Sequence, residues 1–310
     1  MAPDFVTAGY RAGAAVARGL PRGAADRVAD ALSDVAMLSS KERRLLVERH
    51  MRRALGPDAS AADVRRAVRR SFASYGRYWV DSFRLPDMSV AEIDRGMTTI
   101  GLEHIKRAVA SGTGPILVLP HLGGWEWAGF WLTLVPHFTV TVVVETVEPK
   151  ALFDFFVDFR RQLGMHIVPL GPEAAPAVLR AIKEGHVLCL LSDRDIEGNG
   201  VEVDFFGERT TLPAGPATLA LRTGAPLLPT ACYFKESGGV LGFVRPPVPA
   251  ERQAKRLRDD VGRITQDLAH ELEGLIRKAP DQWHLQQPNW PSDWDALEAM
   301  GKPHPRPGEH

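Results

Sequence analysis

Cysteine is almost missing from the 310 residues: Cys189 and Cys232 are the only two. That excludes a disulfide scaffold and a cysteine-rich zinc site. Cys189 lies in an apolar run, so a reduced, buried thiol is expected. Net charge is missing as well, with 38 Lys and Arg against 38 Asp and Glu. A chain built wholly around nucleic acid is therefore excluded. No secretory leader is legible, because Asp4, Arg11 and Arg18 interrupt the start before any long apolar core develops. The G-x-S-x-G elbow, the P-loop, G-x-G-x-x-G, H-E-x-x-H and C-x-x-C are all absent. Their absence weighs against Ser-hydrolase, NTPase, dinucleotide-binding and zinc-peptidase readings. What remains is an ordinary soluble composition, 45% apolar and 25% charged, long enough for one large α/β domain with a helical appendage.

The zero balance hides an asymmetry. Residues 1–80 carry fifteen Lys and Arg against eight Asp and Glu, so this part stands at +7 and the remaining 230 residues at −7. A basic end on a neutral chain suits an anionic lipid surface, or else is a solvated helical face. The region reads as helices. Val28, Ala31, Leu32, Val35 and Ala36 recur at helical spacing after Pro21, and Ser39 with Glu42 has the form of a capping box. Ser60 with Asp63 marks another start. Val64, Val68, Phe72, Tyr75, Trp79 and Phe83 then make one apolar stripe, with Arg65, Arg66, Arg69, Arg70 and Arg77 beside it.

From about residue 97 the pattern alternates. Strands are expected at 97–100, 115–119, 139–144, 166–169, 187–192, 227–233 and 240–244. Helices are expected at 102–110, 124–134, 149–162, 173–184, 215–222 and 252–277. This predicts an α/β fold, a twisted, mostly parallel sheet flanked by helices. The stretch 108–144 has one formal charge, Glu126, but Gly123-Gly124 and Pro136-His137 break it, so it reads as strand, helix and strand rather than a membrane span. Three parts follow: a helical, membrane-facing region over 1–90, an α/β domain over 91–290, and a tail over 291–310 whose last ten residues are expected to be disordered.

One segment carries chemistry. In Leu117-Val-Leu-Pro-His-Leu-Gly-Gly-Trp-Glu126 a buried strand ends at His121, two glycines follow, and Glu126 opens a helix. The spacing alone says little, since His304 and Glu309 repeat it in the Pro-rich tail. Context distinguishes the first pair. Glu126 is alone in an apolar region and needs a partner, and His121 is the nearest candidate. A carboxylate on one imidazole nitrogen would leave the other to accept a proton from an attacking hydroxyl. The plainer alternative is a satisfied core histidine beside an acid at a helix start. Further charges follow apolar segments in Phe159-Arg-Arg-Gln-Leu-Gly164 and Leu191-Ser-Asp-Arg-Asp195, where open α/β sheets place ligands or where ion networks simply hold loops.

Taken in order, several stretches resemble the lipid A biosynthesis acyltransferase superfamily, and within it the phosphatidylinositol mannoside acyltransferases. They are Leu119-Pro-His-Leu-Gly-Gly-Trp-Glu126, Ala73-Ser-Tyr-Gly-Arg-Tyr-Trp79, Phe159-Arg-Arg-Gln-Leu-Gly164, Ser192-Asp-Arg-Asp195, Val203-Asp-Phe-Phe-Gly207, Pro213-Ala-Gly-Pro216 and Pro280-Asp-Gln-Trp-His284. The resemblance covers roughly residues 5–290. It implies acyl-CoA as donor, a glycolipid hydroxyl as acceptor and no resident cofactor or metal. It implies His121 as general base and Glu126 as its partner, with Glu145, Arg160 and Asp195 lining the site. Asp193 joins them as a candidate for binding sugar hydroxyls, and Arg194 is expected to bind an anionic group or hold the loop. The expected protein is a peripheral enzyme on the cytoplasmic face of the membrane. It would move a long acyl chain such as palmitoyl to a mannose hydroxyl of phosphatidylinositol mannoside. Transfer to lipid A or another glycolipid, a thioesterase, and a non-catalytic lipid-binding protein are the rivals.

Overall fold

A computed structural model describes residues 5–306. Four helices open the chain: α1 (Phe5–Gly19), α2 (Arg22–Ser39), α3 (Lys41–Leu55) and α4 (Ala61–Arg84). At the start of α4 the Ser60 hydroxyl accepts from the Asp63 N–H while the Asp63 carboxylate accepts from the Ser60 N–H, the reciprocal cap its sequence suggested. No such box forms at Ser39 and Glu42, because α2 runs through Ser39 and that hydroxyl donates back to the Ala36 carbonyl.

The alternating region follows as α5 (Val90–Gly96), β1 (Met97–Ile100), α6 (Leu102–Ala110), β2 (Ile116–Leu119), α7 (Trp125–Leu134), β3 (Val140–Val144), α8 (Lys150–Gln162), β4 (His166–Pro169), α9 (Ala174–Lys183) and β5 (Val187–Leu191). A two-stranded hairpin comes next, β6 (Val201–Phe205) and β7 (Glu208–Leu212), then α10 (Gly215–Thr223), β8 (Leu227–Phe234), β9 (Val240–Val244), α11 (Leu257–Lys278) and α12 (Pro291–Ala299). Seven strands form one sheet in the order β1-β9-β8-β2-β5-β3-β4, parallel except between β8 and β9. The expected fold class is the observed one.

Strands buried on both faces need cover on both. Ile116 and Val118 of β2 face a core shared with α10, α11 and the N-terminal helices, including Val47, Met51, Val64 and Phe72. Leu117 and Leu119 face the other way, into a core with α5, α6 and α7. The α4 stripe is thus core-facing, with Val64, Val68, Phe72 and Phe83 buried and Arg65, Arg66, Arg69 and Arg70 exposed. Helix α2 behaves in the opposite way. It packs on α4 through small residues, close enough that a Cβ on Gly76 would collide with the Ser33 hydroxyl. Val28, Leu32, Val35 and Leu38, larger residues on its other side, stay exposed. Two elements differ from expectation. The hairpin lies over Val203-Asp-Phe-Phe-Gly207, where no strands were expected, and α12 gives the C-terminal tail an ordered, packed helix. The expected disorder beyond residue 300 concerns 301–306, which hold no helix or strand, and 307–310, which lie outside the described residues.

Candidate active site

The site sits beyond the carboxyl ends of the two central neighbours β2 and β5, where a parallel sheet leaves a crevice. His121 follows β2 and Asp193 follows β5, and the Ser192 N–H bonding the Leu119 carbonyl at 2.8 Å holds the two connections side by side. Asp193 is wholly buried. Its Oδ1 lies 2.6 Å from His121 Nδ1, and its Oδ2 accepts from the His121 backbone N–H at 3.0 Å and from Trp283 Nε1–H at 2.7 Å. Burial would raise the Asp193 carboxyl, but the His121 charge and these hydrogen bonds outweigh it and hold the group below its ordinary value. An ionised carboxylate only accepts, so Nδ1 carries the proton and Nε2 offers its lone pair. Nε2 makes no hydrogen bond among the described residues, and 29% of the side chain is exposed.

This corrects the expected pairing of His121 with Glu126. Gly123 takes a left-handed turn (φ 63°), a Cβ there would collide with the Cys232 carbonyl, and Gly124 donates to that same carbonyl at 2.8 Å. The chain then enters α7, and Glu126 in its first turn points down into the core. There Arg160 Nε donates to Glu126 Oε1 at 3.0 Å, its Nη2 donates to the same oxygen, and Tyr78 Oη approaches it at 3.3 Å. Burial would lower the Arg160 guanidinium, yet Glu126 raises it, and burial with the neighbouring carboxylate raises the Tyr78 phenol. Arg160 therefore holds Glu126, and the pair lines the apolar cavity beneath α7. Asp193, expected among the sugar-binding groups, is instead the carboxylate on the imidazole. Asp195 accepts from the Gly198 and Gly200 N–H groups and from Thr211 Oγ1, which makes it the organiser of its own loop. Arg194 bonds Glu145 at 2.8 Å, and these two stand together at the rim. Trp283 was quoted in a motif but given no role.

Beneath α7 an apolar cavity crosses the sheet. Its volume is about 90 Å³, and its walls come from six neighbouring strands, β1, β9, β8, β2, β5 and β3. Leu117, Leu119, Trp131, Val142 and Val244 line it, and its polar wall includes the Glu126–Arg160 pair, each charge neutralised by the other. Trp125 also lines it and stands edge-on to the His121 ring, centroids 5.7 Å apart. Cys189 and Cys232 face the cavity too. Burial raises both thiols, Cys189 to about 12, which leaves neither as a thiolate nucleophile near neutral pH.

The sequence model for bacterial lipid A biosynthesis acyltransferases matches residues 5–292. The chain belongs to that family. It is 41% identical over 254 residues to a phosphatidylinositol mannoside acyltransferase of Mycobacterium tuberculosis, covering 80% of this chain and 77% of the relative. A phosphatidylinositol mannoside acyltransferase of Mycolicibacterium smegmatis is 37% identical over 289 residues, 92% of this chain and 91% of the relative. A lipid A biosynthesis acyltransferase of Haemophilus influenzae is 28% identical over 193 residues, 60% and 57% of the two chains. The chain is an acyltransferase. Among the described residues no helix is long and apolar enough to cross a membrane.

Proposed function

We propose that the protein transfers a long fatty acyl group from acyl-CoA to a mannose hydroxyl of phosphatidylinositol mannoside, on the cytoplasmic face of the membrane. The observation that carries this reading is His121, its Nε2 open, its Nδ1 on a buried carboxylate, beside a cavity with apolar walls. His121 Nε2 takes the proton from the sugar hydroxyl as that oxygen attacks the thioester carbonyl. Asp193 holds the ring in the useful tautomer and stabilises the imidazolium. The tetrahedral intermediate collapses, the C–S bond breaks, and the thiolate of CoA leaves and takes up the proton. No acyl-enzyme is needed, because the thiolate leaves more easily than an alkoxide. The acyl chain lies in the cavity, where each methylene gains about 0.8 kcal/mol on leaving water. The relatives' names supply the choice of acceptor.

The reading of a peripheral enzyme rests on the first two helices. Phe5, Val6 and Val16 of α1 and Val28, Leu32, Val35 and Leu38 of α2 are exposed, and so are Arg11 and Arg27 on the same two helices. Apolar side chains inserted at the headgroup boundary with cations beside them suit an anionic surface, to which each cation adds about 1 kcal/mol.

The test is acyl transfer by the purified protein from palmitoyl-CoA, followed by mass spectrometry of the lipids. Mannosylated phosphatidylinositol should be acylated much faster than phosphatidylinositol or a lipid A precursor, and His121→Ala should lower the rate by about 10²–10⁴. A lipid A precursor acylated faster would reassign the acceptor, CoA release without acylated lipid would make the protein a thioesterase, and a folded His121→Ala protein with normal turnover would refute the mechanism.

A further inference from the structure

The segment after α11 is tied to the site from several sides. A short turn at Pro280–Gln282 leads into Trp283, which pairs with Leu122 in an antiparallel bridge. The Gly123 N–H bonds the Gln282 carbonyl at 2.9 Å, and the His284 N–H bonds the His121 carbonyl at 2.7 Å. The Gln282 amide is anchored on the backbone of Phe234 at the end of β8. Asn289 Nδ2 donates to the Asp193 carbonyl at 2.9 Å. Both members of the His121–Asp193 pair are therefore held by one strap that lies far from either in sequence.

We propose that Trp283 is a positioning residue for the acyl transfer, its indole N–H fixing Asp193 Oδ2 so that Oδ1 meets His121 Nδ1 and the basicity of His121 is set by that grip. This rests on the reading of His121 as the general base. The carboxylate has two oxygens, and the bond to the imidazole uses one. Among the described residues Oδ2 accepts from two donors, the His121 N–H and Trp283 Nε1–H. Without the indole, the carboxylate could rotate about its χ2 and would concentrate its charge on the imidazole. An indole suits the task because it donates and never accepts or titrates, so it cannot take the proton the pair must handle. The ring itself is immobile: Trp283 is 1% exposed and packs at 5.4–6.4 Å from His50, Phe205, Phe206 and Trp290.

The other charged groups nearby do not replace it. His284 on the strap is held neutral by burial and by His121, pushed down to about 3. Arg194 is turned to Glu145, Asp195 to its own loop, and below Trp125 the Glu126 and Arg160 charges are engaged with each other. The direction of the effect follows. A carboxylate that loses a donor holds the imidazolium more strongly, so His121 should bind its proton more tightly.

The variant Trp283→Phe keeps an aromatic ring and removes the N–H. We expect kcat to fall by about tenfold or more with KM for palmitoyl-CoA nearly unchanged. The acidic limb of the pH–rate profile should move up by about one pH unit. The His121 imidazole, followed by NMR titration of the free protein with labelled histidine and assigned through His121→Ala, should move the same way. A folded Trp283→Phe protein with the wild-type acidic limb and the wild-type His121 titration would overturn the inference. Should thermal melts show that phenylalanine does not support the fold, the benzothienyl analogue of tryptophan, with sulfur in place of N–H, decides on the same two readings. Turnover lost in His121→Ala but unmoved profiles at position 283 would defeat this inference alone. Turnover retained in folded His121→Ala would defeat the reading beneath it.

Discussion

Glu126 and Asp193 are both buried carboxylates, and each meets one base, but the bases differ in what they can do. Glu126 under α7 meets Arg160, whose guanidinium keeps its proton at any physiological pH. Asp193 at the end of β5 meets His121, whose imidazole, unlike a guanidinium, has a neutral form with a free nitrogen lone pair. The first pair is permanently ionised and can only hold parts together. The second can carry a proton in and out of a reaction. The same residue type is thus structural in one place and chemical in another, and the partner decides which: a guanidinium that offers no lone pair, or an imidazole whose Nε2 is open to the crevice.

The sharpest way to break the contrast is Asp193→Asn. The amide can present its NH₂ or its carbonyl to Nδ1, and it removes the charge that stabilises the imidazolium. Transfer should fall by about 10²–10⁴, comparable to the loss in His121→Ala, and the double variant should be little worse than either, because the two act as a unit. Rates additive in the logarithm would mean that the residues work separately. Glu126 and Arg160 should respond in the other currency. Arg160→Met leaves a buried carboxylate alone and should cost about 3–5 kcal/mol of stability. Joint replacement by Glu126→Leu with Arg160→Met should recover much of that in chemical denaturation. Equal stability of the single and double variants would show that the pair is not the bolt the geometry describes.

A third comparison uses pH. His284 lies beside His121, yet burial pushes it down to about 3. Its folded value is below its unfolded one, so the unfolded chain binds the extra proton first as pH falls. The stability tied to this group is complete above about 6.5, the unfolded value, and is lost towards pH 3 at up to about 1.4 kcal/mol per pH unit. Asp193, also depressed, adds stability that is present above its unfolded value and fades at lower pH still. Denaturation midpoints of His284→Phe between pH 7 and 4 should fall less steeply than those of the parent. Parallel curves would mean that His284 is protonated in the folded protein.

How much of this was legible in the sequence depended on whether the signal was local. The seven strands of the main sheet and the helices between them were read within one or two residues, since buried apolar runs ending in Gly or Pro leave little alternative, whereas the long helix α11 starts five residues later than expected. His121 was legible for the same reason, as a polar residue ending the apolar strand Ile116–Leu119. Its partner was not. The nearest acid in sequence was chosen, but strand order β2-β5 puts Asp193 nearer in space, and no sequence period encodes which strands become neighbours. The hairpin was missed because its turn, Phe206-Gly207, has both residues at positive φ without the Asn-Gly or Asp-Gly signature that usually announces it. Helix periodicity found α2, but its recurring large apolar residues Val28, Leu32 and Val35 stay exposed. Small residues pack on α4 at Gly76, and size, not hydrophobicity, set the contact.

The smallest effect should come from the cavity wall beyond Glu126. Gly129 lies on α7 one turn after Glu126 and lines the cavity, and a Cβ there would collide with the terminal methyl of Met165, another wall residue. Methionine is flexible and can yield, so Gly129→Ala should leave the fold and both ion pairs intact while narrowing the end of the cavity near β3. Under the proposed function, the acyl chain then meets a shorter bed on that side. At about 0.8 kcal/mol for each methylene kept in water, exclusion of one or two should cost roughly four- to fifteenfold in kcat/KM for the longest donors and nothing for short ones. Competition between acyl-CoA donors of graded length, read by mass spectrometry of the products, gives the ratio directly. A uniform loss across all lengths would assign Gly129 to helix packing alone. An unchanged ratio in a folded variant would send the chain towards β8, β9 and β1, where Gly242 beneath Met97 offers the corresponding test.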